Sequence, residues 1–257
     1  MNRLIRENRI LLFITFVFLL ILPNSTVLAN DNFKEFTNAQ EARSWGINHS
    51  GNYLFSDEQR QTFRDYTYNS RPFNSNLRKG IPFVNLSLEE QKRISILDEA
   101  VAYPLITENI IVYRYANTDF FERLGYSVQE IKENICNNYS QTVLPTALDY
   151  LKNTEIVGKI YQDPGFLSTT LVKNSVFTHR PIELRIKVRK WKNATFLGYS
   201  GMSFYPQELE LLFPRDEKLR VENISLSSNN KMIIETQMLG PYFMENGKIV
   251  EYEECLS

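Results

Sequence analysis

Two glutamates stand two residues apart in the segment YPQELELLFPR, residues 205–215. In a β-strand successive side chains alternate faces, so Glu208 and Glu210 would project from one face about 6.6 Å apart. Leu209 and the other apolar side chains of the segment would then point to the opposite face. Two carboxylates on one surface can stabilise a developing positive charge and remove a proton from a nucleophile. The segment is therefore a candidate for catalytic chemistry.

The surroundings of this pair matter, because EYE at residues 251–253 has the same spacing and no neighbouring motif that suggests a site. Before Glu208 the chain carries Arg114 at the end of VYRY and Ser168 within DPGFLSTT, spaced about 40 to 55 residues apart. An arginine presents a planar fork of donors to an anion, and a serine hydroxyl can orient a neighbouring carboxylate. In isolation, a surface ion pair for Arg114 and a strand hydroxyl for Ser168 would be the simpler interpretations.

Helix start signals dominate the front of the chain. A serine followed three residues later by glutamine or glutamate is a capping box, which satisfies two backbone N–H groups at the start of a helix. This signature occurs three times, and a fourth helix is predicted through TALDYLKNTEIVG toward Gly158. The capping boxes are Ser56 with Gln59, Ser87 with Glu90, and Ser127 with Glu130.

Strand patterns begin at about residue 109 and dominate after residue 165. NIIVYRY is rich in β-branched and aromatic residues, and PIELRIKVRKW alternates apolar with charged side chains. ELELLF, KLRVENISLS and KMIIETQML follow, separated by polar turns. Helices first and strands later predict an α+β domain with a largely antiparallel sheet core.

The ordered set of an arginine strand, a Ser-Thr-Thr strand and a Glu-x-Glu strand resembles the active-site pattern of the bacterial mono-ADP-ribosyltransferase toxins. Thr170 replaces the last serine of the family's Ser-Thr-Ser motif, which is a mild departure. YTYNSRPFNSNLRKG is similar to the family's segment before the first catalytic strand, and FTHRPIELR to its phosphate-nicotinamide loop. The resemblance covers about residues 52 to 240 and looks closest to the small secreted single-domain kind, the streptococcal SpyA type.

The resemblance implies an ADP-ribosyltransferase fold, in which two packed, mainly antiparallel β-sheets form an NAD cleft flanked by N-terminal helices. NAD would be the co-substrate. No metal is expected, because the two histidines and two cysteines have no metal-ligand spacing. By this resemblance six residues would bind the dinucleotide: Asn76, Leu77, Arg78, Arg114, Phe177 and Arg180.

The same resemblance implies four catalytic residues, Arg114, Ser168, Glu208 and Glu210. Cleavage of the nicotinamide–ribose bond leaves an oxocarbenium ion, and Glu210 would hold the ribose 2′-hydroxyl and stabilise that cation. Glu208 would contact the incoming nucleophile and help to remove its proton. In the family, glutamine at the position of Glu208 accompanies asparagine modification and glutamate accompanies arginine, so an arginine acceptor is implied.

Phe204 and Tyr205 lie in the loop GYSGMSFYPQ, and exposed aromatic side chains on a loop can dock a protein. The corresponding loop of the family recognises the target, so these two residues are the candidates for acceptor recognition. The alternative is that one of them packs beneath the loop. Phe177, likewise, is either a nicotinamide contact or a core residue.

The resemblance implies an enzyme that transfers ADP-ribose from NAD to arginine side chains of host proteins, with actin or other cytoskeletal proteins as the expected acceptors. Hydrolysis of NAD would be a side reaction. Two alternatives remain open: an enzyme that mainly hydrolyses NAD, and a secreted binding module without turnover. Because 29 basic residues balance 30 acidic ones, no overall field favours nucleic acid as a partner. A monomer is expected.

Residues 1–29 are predicted to be a secretory signal peptide, with a basic head, an apolar run over residues 10–22 and small Ala29 at the cleavage site. The run is shorter than the roughly 20 residues of a spanning helix, so a retained anchor is the lesser interpretation. Residues 30–257 suit one catalytic domain. We expect a secreted protein that acts on host cells without stable membrane insertion. Cys136 and Cys255 either form one bridge after export or stay reduced.

Overall fold

The computed structural model describes residues 32–136, 142–173, 177–240, 242–245 and 248–251. The chain divides into two compact units, and these residues fall in the unit Asn32–Tyr252. The other unit, Met1–Asp31 with Glu253–Ser257, contains the whole predicted signal peptide and Cys255, which lie outside the described residues. The domain boundary after residue 29 and a bridge from Cys136 therefore stay predictions.

Helices form most of the first part of the described chain, as the capping signals predict. All three predicted capping boxes are present. The fourth predicted helix ends at Asn153 and not near Gly158, because Thr154 caps it and Glu155 adopts a left-handed φ of 52°. The helices are α1 (Ala39–Ser50), α2 (Asp57–Tyr68), α3 (Arg71–Arg78), α4 (Leu88–Val101), α5 (Asp119–Arg123), α6 (Val128–Asn134) and α7 (Ala147–Asn153). Two short 3-10 helices cover Phe83–Asn85 and Pro206–Glu208.

Eight strands form one hydrogen-bonded sheet in the order β2-β7-β8-β4-β1-β3-β6-β5. Every neighbouring pair is antiparallel except β4 and β8, which are parallel. The strands are β1 (Ile110–Ala116), β2 (Ile160–Gln162), β3 (Phe166–Thr170), β4 (Ile182–Val188), β5 (Thr195–Phe196), β6 (Glu210–Arg215), β7 (Lys218–Leu226) and β8 (Met232–Met238). A separate antiparallel pair consists of β9 (Tyr242–Glu245) and β10 (Lys248–Glu251). The predicted α+β class is confirmed.

The large sheet is weakly joined between β1 and β3. Their register contains the single pair Tyr113 and Thr170, whereas β1 pairs with β4 along its whole length. The extended segment before α1 bridges the two sides, with Lys34 beside Ile110 and Phe36 beside Val172. The two sheets expected from the resemblance are thus a five-stranded half and a three-stranded half of one continuous sheet. Strand ends that separate at such a joint leave room for a cleft.

Two apolar clusters pack on opposite sides of the three-stranded half. Along β6, Leu211 and Phe213 belong to the larger cluster, and Leu212 belongs to the cluster formed with α2, α3 and α4. Because strand side chains alternate, Glu210 shares the face of Leu212. The packing of α2 to α4 therefore decides that the Glu210 carboxylate faces the helices and is covered by them.

Candidate active site

A cleft lies where β1, β3 and β6 meet beside α2 and α3. Arg114 reaches it from β1, Ser168 from β3 and Glu210 from the start of β6, so the three predicted motifs come together. The cleft lies at the weak junction between β1 and β3, and helices α2 and α3 cover one side of it. The lining residues are Tyr66, Ser70, Asn74, Arg78, Tyr113, Arg114, Tyr115, Ser168, Thr169, Thr170, Phe177, Arg180, Glu208 and Glu210.

A buried aspartate organises the basic end of this cleft. The side chain of Asp163 is fully buried, and Arg78 donates to both of its oxygens, from Nε at 2.8 Å and from Nη2 at 2.9 Å. Arg114 donates to the same carboxylate at 3.4 Å and to the carbonyl oxygen of Ser168 at 2.7 Å. Burial would raise the pKa of Asp163, but the charges of Arg114 and Arg78 outweigh burial and lower that pKa. Asp163 therefore holds two guanidinium groups in fixed orientations.

The turn between β2 and β3 approaches α3 closely enough to require glycine. The backbone N–H of Phe166 donates to Asn74 Oδ1 at 2.9 Å, and Asn74 Nδ2 donates to the hydroxyl of Tyr66 at 3.2 Å. A Cβ atom on Gly165 would lie 2.6 Å from Asn74 Oδ1. Any residue with a side chain at this position would therefore displace Asn74 or the turn. This contact places α3, and with it Arg78, against the turn that carries Asp163.

The basic end of the cleft has a hydrogen-bond donor without a partner, and more positive charge than Asp163 compensates, among the described residues. Arg114 Nε is buried and has no hydrogen-bond partner among the described residues. Arg180 donates to the carbonyl oxygen of Tyr115 at 2.7 Å, and its guanidinium lies 4.6 Å from the centre of the Phe177 ring. Burial and the nearby charges of Arg114 and Arg78 lower the pKa of Arg180. Three guanidinium groups against one Asp163 carboxylate create a place for a polyanionic group such as a diphosphate.

The acidic end of the cleft is built around Glu210. This residue pairs with Thr170 at the first position of β6, and it is only 6% exposed. Burial raises the pKa of Glu210 to about 7; a hydrogen bond from the Ser168 hydroxyl lowers it, the charge of Glu208 raises it and Arg114 lowers it. The role of Ser168 in orienting this carboxylate stays a prediction. Glu210 is thus a carboxylate whose charge the protein itself compensates only in part.

The predicted strand geometry of Glu208 is wrong. Glu208 ends the 3-10 helix Pro206–Glu208, and β6 begins only at Glu210. Between them Leu209 adopts a left-handed conformation, with φ 49° and ψ 42°, and its side chain is buried. The hydroxyl of Thr170 donates to the carbonyl oxygen of Glu208 at 2.8 Å and stabilises the turn. Both carboxylates still line the cleft, and burial raises the pKa of Glu208.

A buried carboxylate beside a set of guanidinium groups, on an arginine strand, a Ser-Thr-Thr strand and a glutamate strand, matches a known family. A family model described as ADP-ribosyltransferase exoenzyme matches residues 42–241, which is more than half of the chain. The chain belongs to the ADP-ribosyltransferase exoenzyme family. The predicted membership of a bacterial ADP-ribosylating toxin family is confirmed, whereas likeness to the SpyA type stays a prediction.

Relatives of this ADP-ribosyltransferase are similar over most of their length. A mono-ADP-ribosyltransferase C3 from Hathewaya limosa is 30% identical over 215 residues, covering 81% of this chain and 80% of that protein. An epidermal cell differentiation inhibitor from Staphylococcus aureus is 28% identical over 221 residues, covering 84% and 87%. The solved structure of C3stau2 from S. aureus with NAD matches with a TM-score of 0.72 at 27% identity, covering 80% and 98%. Plx2a, an ADP-ribosyltransferase toxin from Paenibacillus larvae, matches with a TM-score of 0.70 at 25% identity, covering 81% and 100%.

Two of the predicted nucleotide-binding residues of the ADP-ribosyltransferase do not line the cleft. Asn76 lies on the other side of α3 and donates to Glu90 at 2.6 Å, and Leu77 is buried in the apolar cluster between α2, α3 and α4. In this region Asn74 and Arg78, one helical turn apart, face the cleft. The predicted contiguous triplet Asn-Leu-Arg is not presented on one surface, because a helix places residues four apart on the same face.

Phe204 and Tyr205 are exposed, at 46% and 39%, and lie outside the cleft lining. The ring of Phe204 packs against Tyr68 of α2 at a centroid distance of 5.1 Å, and its backbone N–H donates to Thr67. The guanidinium of Arg64 lies 4.7 Å from the centre of the Phe204 ring. The aromatic pair is thus on the surface beside Glu208, where a protein partner has access, and its predicted recognition role stays a prediction.

Asp163, Asn74 and Tyr66 belong to the site but are not among the residues predicted from the sequence. Asp163 lies five residues before Ser168 in a quoted motif, and an acidic residue before Pro-Gly could have been read as a buried turn residue. Asn74 could have been found from its spacing of four to Arg78 on a helix. Among the described residues there is no group of three or more potential metal ligands, and no helix in those ranges is long and apolar enough to cross a membrane.

Proposed function

We propose that this ADP-ribosyltransferase transfers ADP-ribose from NAD to an arginine side chain of a host protein, with release of nicotinamide. The observation that carries the proposal is the pairing of two carboxylates, Glu208 and Glu210, in a cleft whose other end presents Arg78, Arg114 and Arg180. NAD needs both ends. Its diphosphate is an anion, and its nicotinamide ribose becomes cationic as the glycosidic bond breaks.

The basic end would bind the diphosphate of NAD. Arg114 Nε is buried without a hydrogen-bond partner in the part of the chain that the structure describes, and Arg78 is held against Asp163, so these groups need no reorganisation when an anion arrives. Arg180 stacks on Phe177 at the edge of the cleft, where the ring could pack against the nicotinamide. The structure solved for C3stau2 contains NAD, which supports the dinucleotide as the ligand of this fold.

The acidic end would drive the bond cleavage. The nicotinamide leaves with the electron pair of the C–N bond, and the ribose becomes an oxocarbenium ion next to Glu210. A buried carboxylate with few compensating partners stabilises such a cation strongly, because no water competes for it. The pKa of about 7 means that Glu210 must lose its proton to act, so activity should rise as the pH passes through neutrality.

Glu208 would govern the second half of the reaction. A guanidinium nitrogen attacks the ribose carbon, and the proton that it loses passes to a carboxylate at the rim of the cleft. Glu208 is less buried than Glu210 and stands beside the exposed loop that carries Phe204 and Tyr205, so it is accessible to a protein side chain. A carboxylate complements a guanidinium, which an amide at this position would not do.

The test is to incubate the protein and its Glu208→Gln variant with labelled NAD and host lysate. We expect labelled protein bands with arginine as the modified residue, and a loss of about a hundredfold in Glu208→Gln with nicotinamide release retained. Label found only in free ADP-ribose would favour the NAD glycohydrolase instead. Increased labelling by Glu208→Gln would indicate an asparagine acceptor, and persistence of NAD would indicate a binding module without turnover.

Secretion and action on host cells are part of this proposal. The family description as an exoenzyme and the predicted signal peptide at residues 1–29 support export. We further propose that the exported chain acts as a monomer without a nucleic-acid partner or stable membrane insertion. Actin or another cytoskeletal protein is the first acceptor to examine by mass spectrometry of the labelled bands.

A further inference from the structure

The loop between β5 and β6, residues 197–209, is tied to the first helix by one arginine. Arg43 is a partly buried residue of α1, and its guanidinium donates through Nη1 to the carbonyl oxygen of Gly198. The same group donates through Nη2 to the carbonyl oxygen of Pro206 at 3.1 Å. Gly198 is the second residue of the loop, and Pro206 begins the 3-10 helix that ends at Glu208. One side chain therefore connects both ends of the loop.

The helix that carries Arg43 is itself fixed to β5. The ring of Phe196 packs so closely on Gly46 that a Cβ atom on Gly46 would lie 2.4 Å from the ring. The backbone N–H of Phe196 donates to the Ser50 hydroxyl at 2.8 Å. His49 forms a further hydrogen bond with the carbonyl oxygen of Ala194 at 2.8 Å. Among the described residues no ion pair includes Arg43. Its guanidinium thus contacts the loop from a rigid support.

The position of the Glu208 carboxylate depends on the backbone around it. Thr170 bonds the carbonyl oxygen of Glu208 from β3, and Arg43 bonds the carbonyl oxygen of Pro206 from α1. Leu209 stays in the left-handed region, which is unfavourable for a residue with a side chain and needs support from its surroundings. Glu210, by contrast, is held by strand pairing with Thr170, and the hydrogen bonds of Arg43 go to Gly198 and Pro206.

We propose that Arg43 is a positioning residue for the acceptor half of the reaction: it holds the β5–β6 loop so that Glu208 meets the incoming nucleophile. This inference rests on the proposed function. Loss of the two carbonyl contacts should misplace Glu208 while Glu210, Ser168 and the guanidinium end keep their geometry. Transfer to an acceptor then falls, and cleavage of NAD continues with water as the nucleophile.

The test compares Arg43→Ala and Arg43→Lys with the unmodified chain in two assays on the same preparations. One measures nicotinamide release from NAD without acceptor, and the other measures ADP-ribose incorporation into agmatine, a small guanidine. We expect Arg43→Ala to lower incorporation about ten- to hundredfold, because small misplacements of a reacting group cost that much. Nicotinamide release and the KM for NAD should change less than about threefold. Arg43→Lys, with one ammonium in place of the fork, should fall between the two.

Arg93→Ala is the matched control, since Arg93 is a helical arginine on α4 that pairs with Glu89 at the surface; it should change neither assay. Amide hydrogen exchange over residues 198–208 gives a readout that does not need activity, and it should be faster in Arg43→Ala only. The role of Arg43 would be overturned if Arg43→Ala left the ratio of transfer to hydrolysis unchanged. Unchanged hydrogen exchange in the loop would overturn it as well. If the unmodified protein cleaves no NAD, the proposed function fails separately, and the exchange experiment alone decides whether Arg43 fixes the loop.

Discussion

The two ends of the cleft differ in how the protein compensates a buried carboxylate. At the basic end, Asp163 is fully buried yet satisfied, because Arg78 and Arg114 supply both hydrogen bonds and charge. At the acidic end, Glu210 is nearly as buried, and burial raises its pKa to about 7 because the hydrogen bond from Ser168 and the charge of Arg114 offset burial only in part. A substrate anion needs a preformed frame, whereas a developing cation needs a carboxylate that the protein has left incompletely neutralised.

The largest effect should come from removing the charge at the acidic end. We expect Glu210→Gln to lower both nicotinamide release and ADP-ribose transfer about a thousandfold, because the cation loses its buried counter-charge. NAD affinity, measured by calorimetry, should change little, since the guanidinium groups are intact. Glu99→Gln, an exposed change on α4, is the control. Retained turnover in Glu210→Gln would show that the carboxylate is not the catalytic group.

The same variant should be more stable than the unmodified protein at alkaline pH. Burial raises the pKa of Glu210 from 4.5 to about 7, so its ionisation opposes folding by about 3 kcal/mol once the pH exceeds the folded pKa. Below about pH 4.5 the carboxyl is protonated in both states and the cost is absent. The stability gain of Glu210→Gln in urea unfolding should therefore grow between pH 4.5 and 7. A gain that is constant over this range would contradict the raised pKa.

An effect on stability more than on chemistry is expected at the basic end. Asp163→Asn leaves two guanidinium groups without their counter-charge, and breaking a buried pair in this way costs about 3 kcal/mol. We expect a lower urea midpoint together with weaker NAD binding, because Arg78 and Arg114 lose their fixed orientation. Asp149→Asn, at an exposed position on α7, is the control and should leave both measurements unchanged. A stable Asp163→Asn variant with normal NAD affinity would show that the arginines position themselves.

The smallest effect is expected from removing the Ser168 hydroxyl, which acts on Glu210 at the acidic end. The Ser168 hydroxyl lowers the pKa of Glu210, so Ser168→Ala should raise it further. A hydrogen bond of about 1 kcal/mol corresponds to about 0.7 pH units, and the midpoint of nicotinamide release against pH should move in the alkaline direction by that amount. The exposed change Ser44→Ala on α1 should not move it. An acidic shift would mean that Ser168 acts on something other than the ionised carboxylate.

Sequence patterns were sufficient where the relevant interactions are local. A capping box uses two residues within one turn, so all three predicted helix starts appear where the serines are. The alternation in PIELRIKV likewise gives the strand β4, whose apolar side chains are all buried. The order of the arginine, serine and glutamate motifs indicated the family, because the strands that carry them become neighbours in the sheet.

Only the tertiary structure decided which side chains share the cleft and in what state of charge. Asp163 is ion-paired in the cleft because it contacts Arg78 and Arg114, which lie 85 and 49 residues earlier in the chain. The turn at Leu209 depends on Thr170 from another strand, so a strand pattern around Glu208 could not reveal it. The pKa of Glu210 likewise follows from burial by helices that its own segment does not contain. Propensity acts over a few residues, whereas electrostatics and burial depend on every group within contact distance.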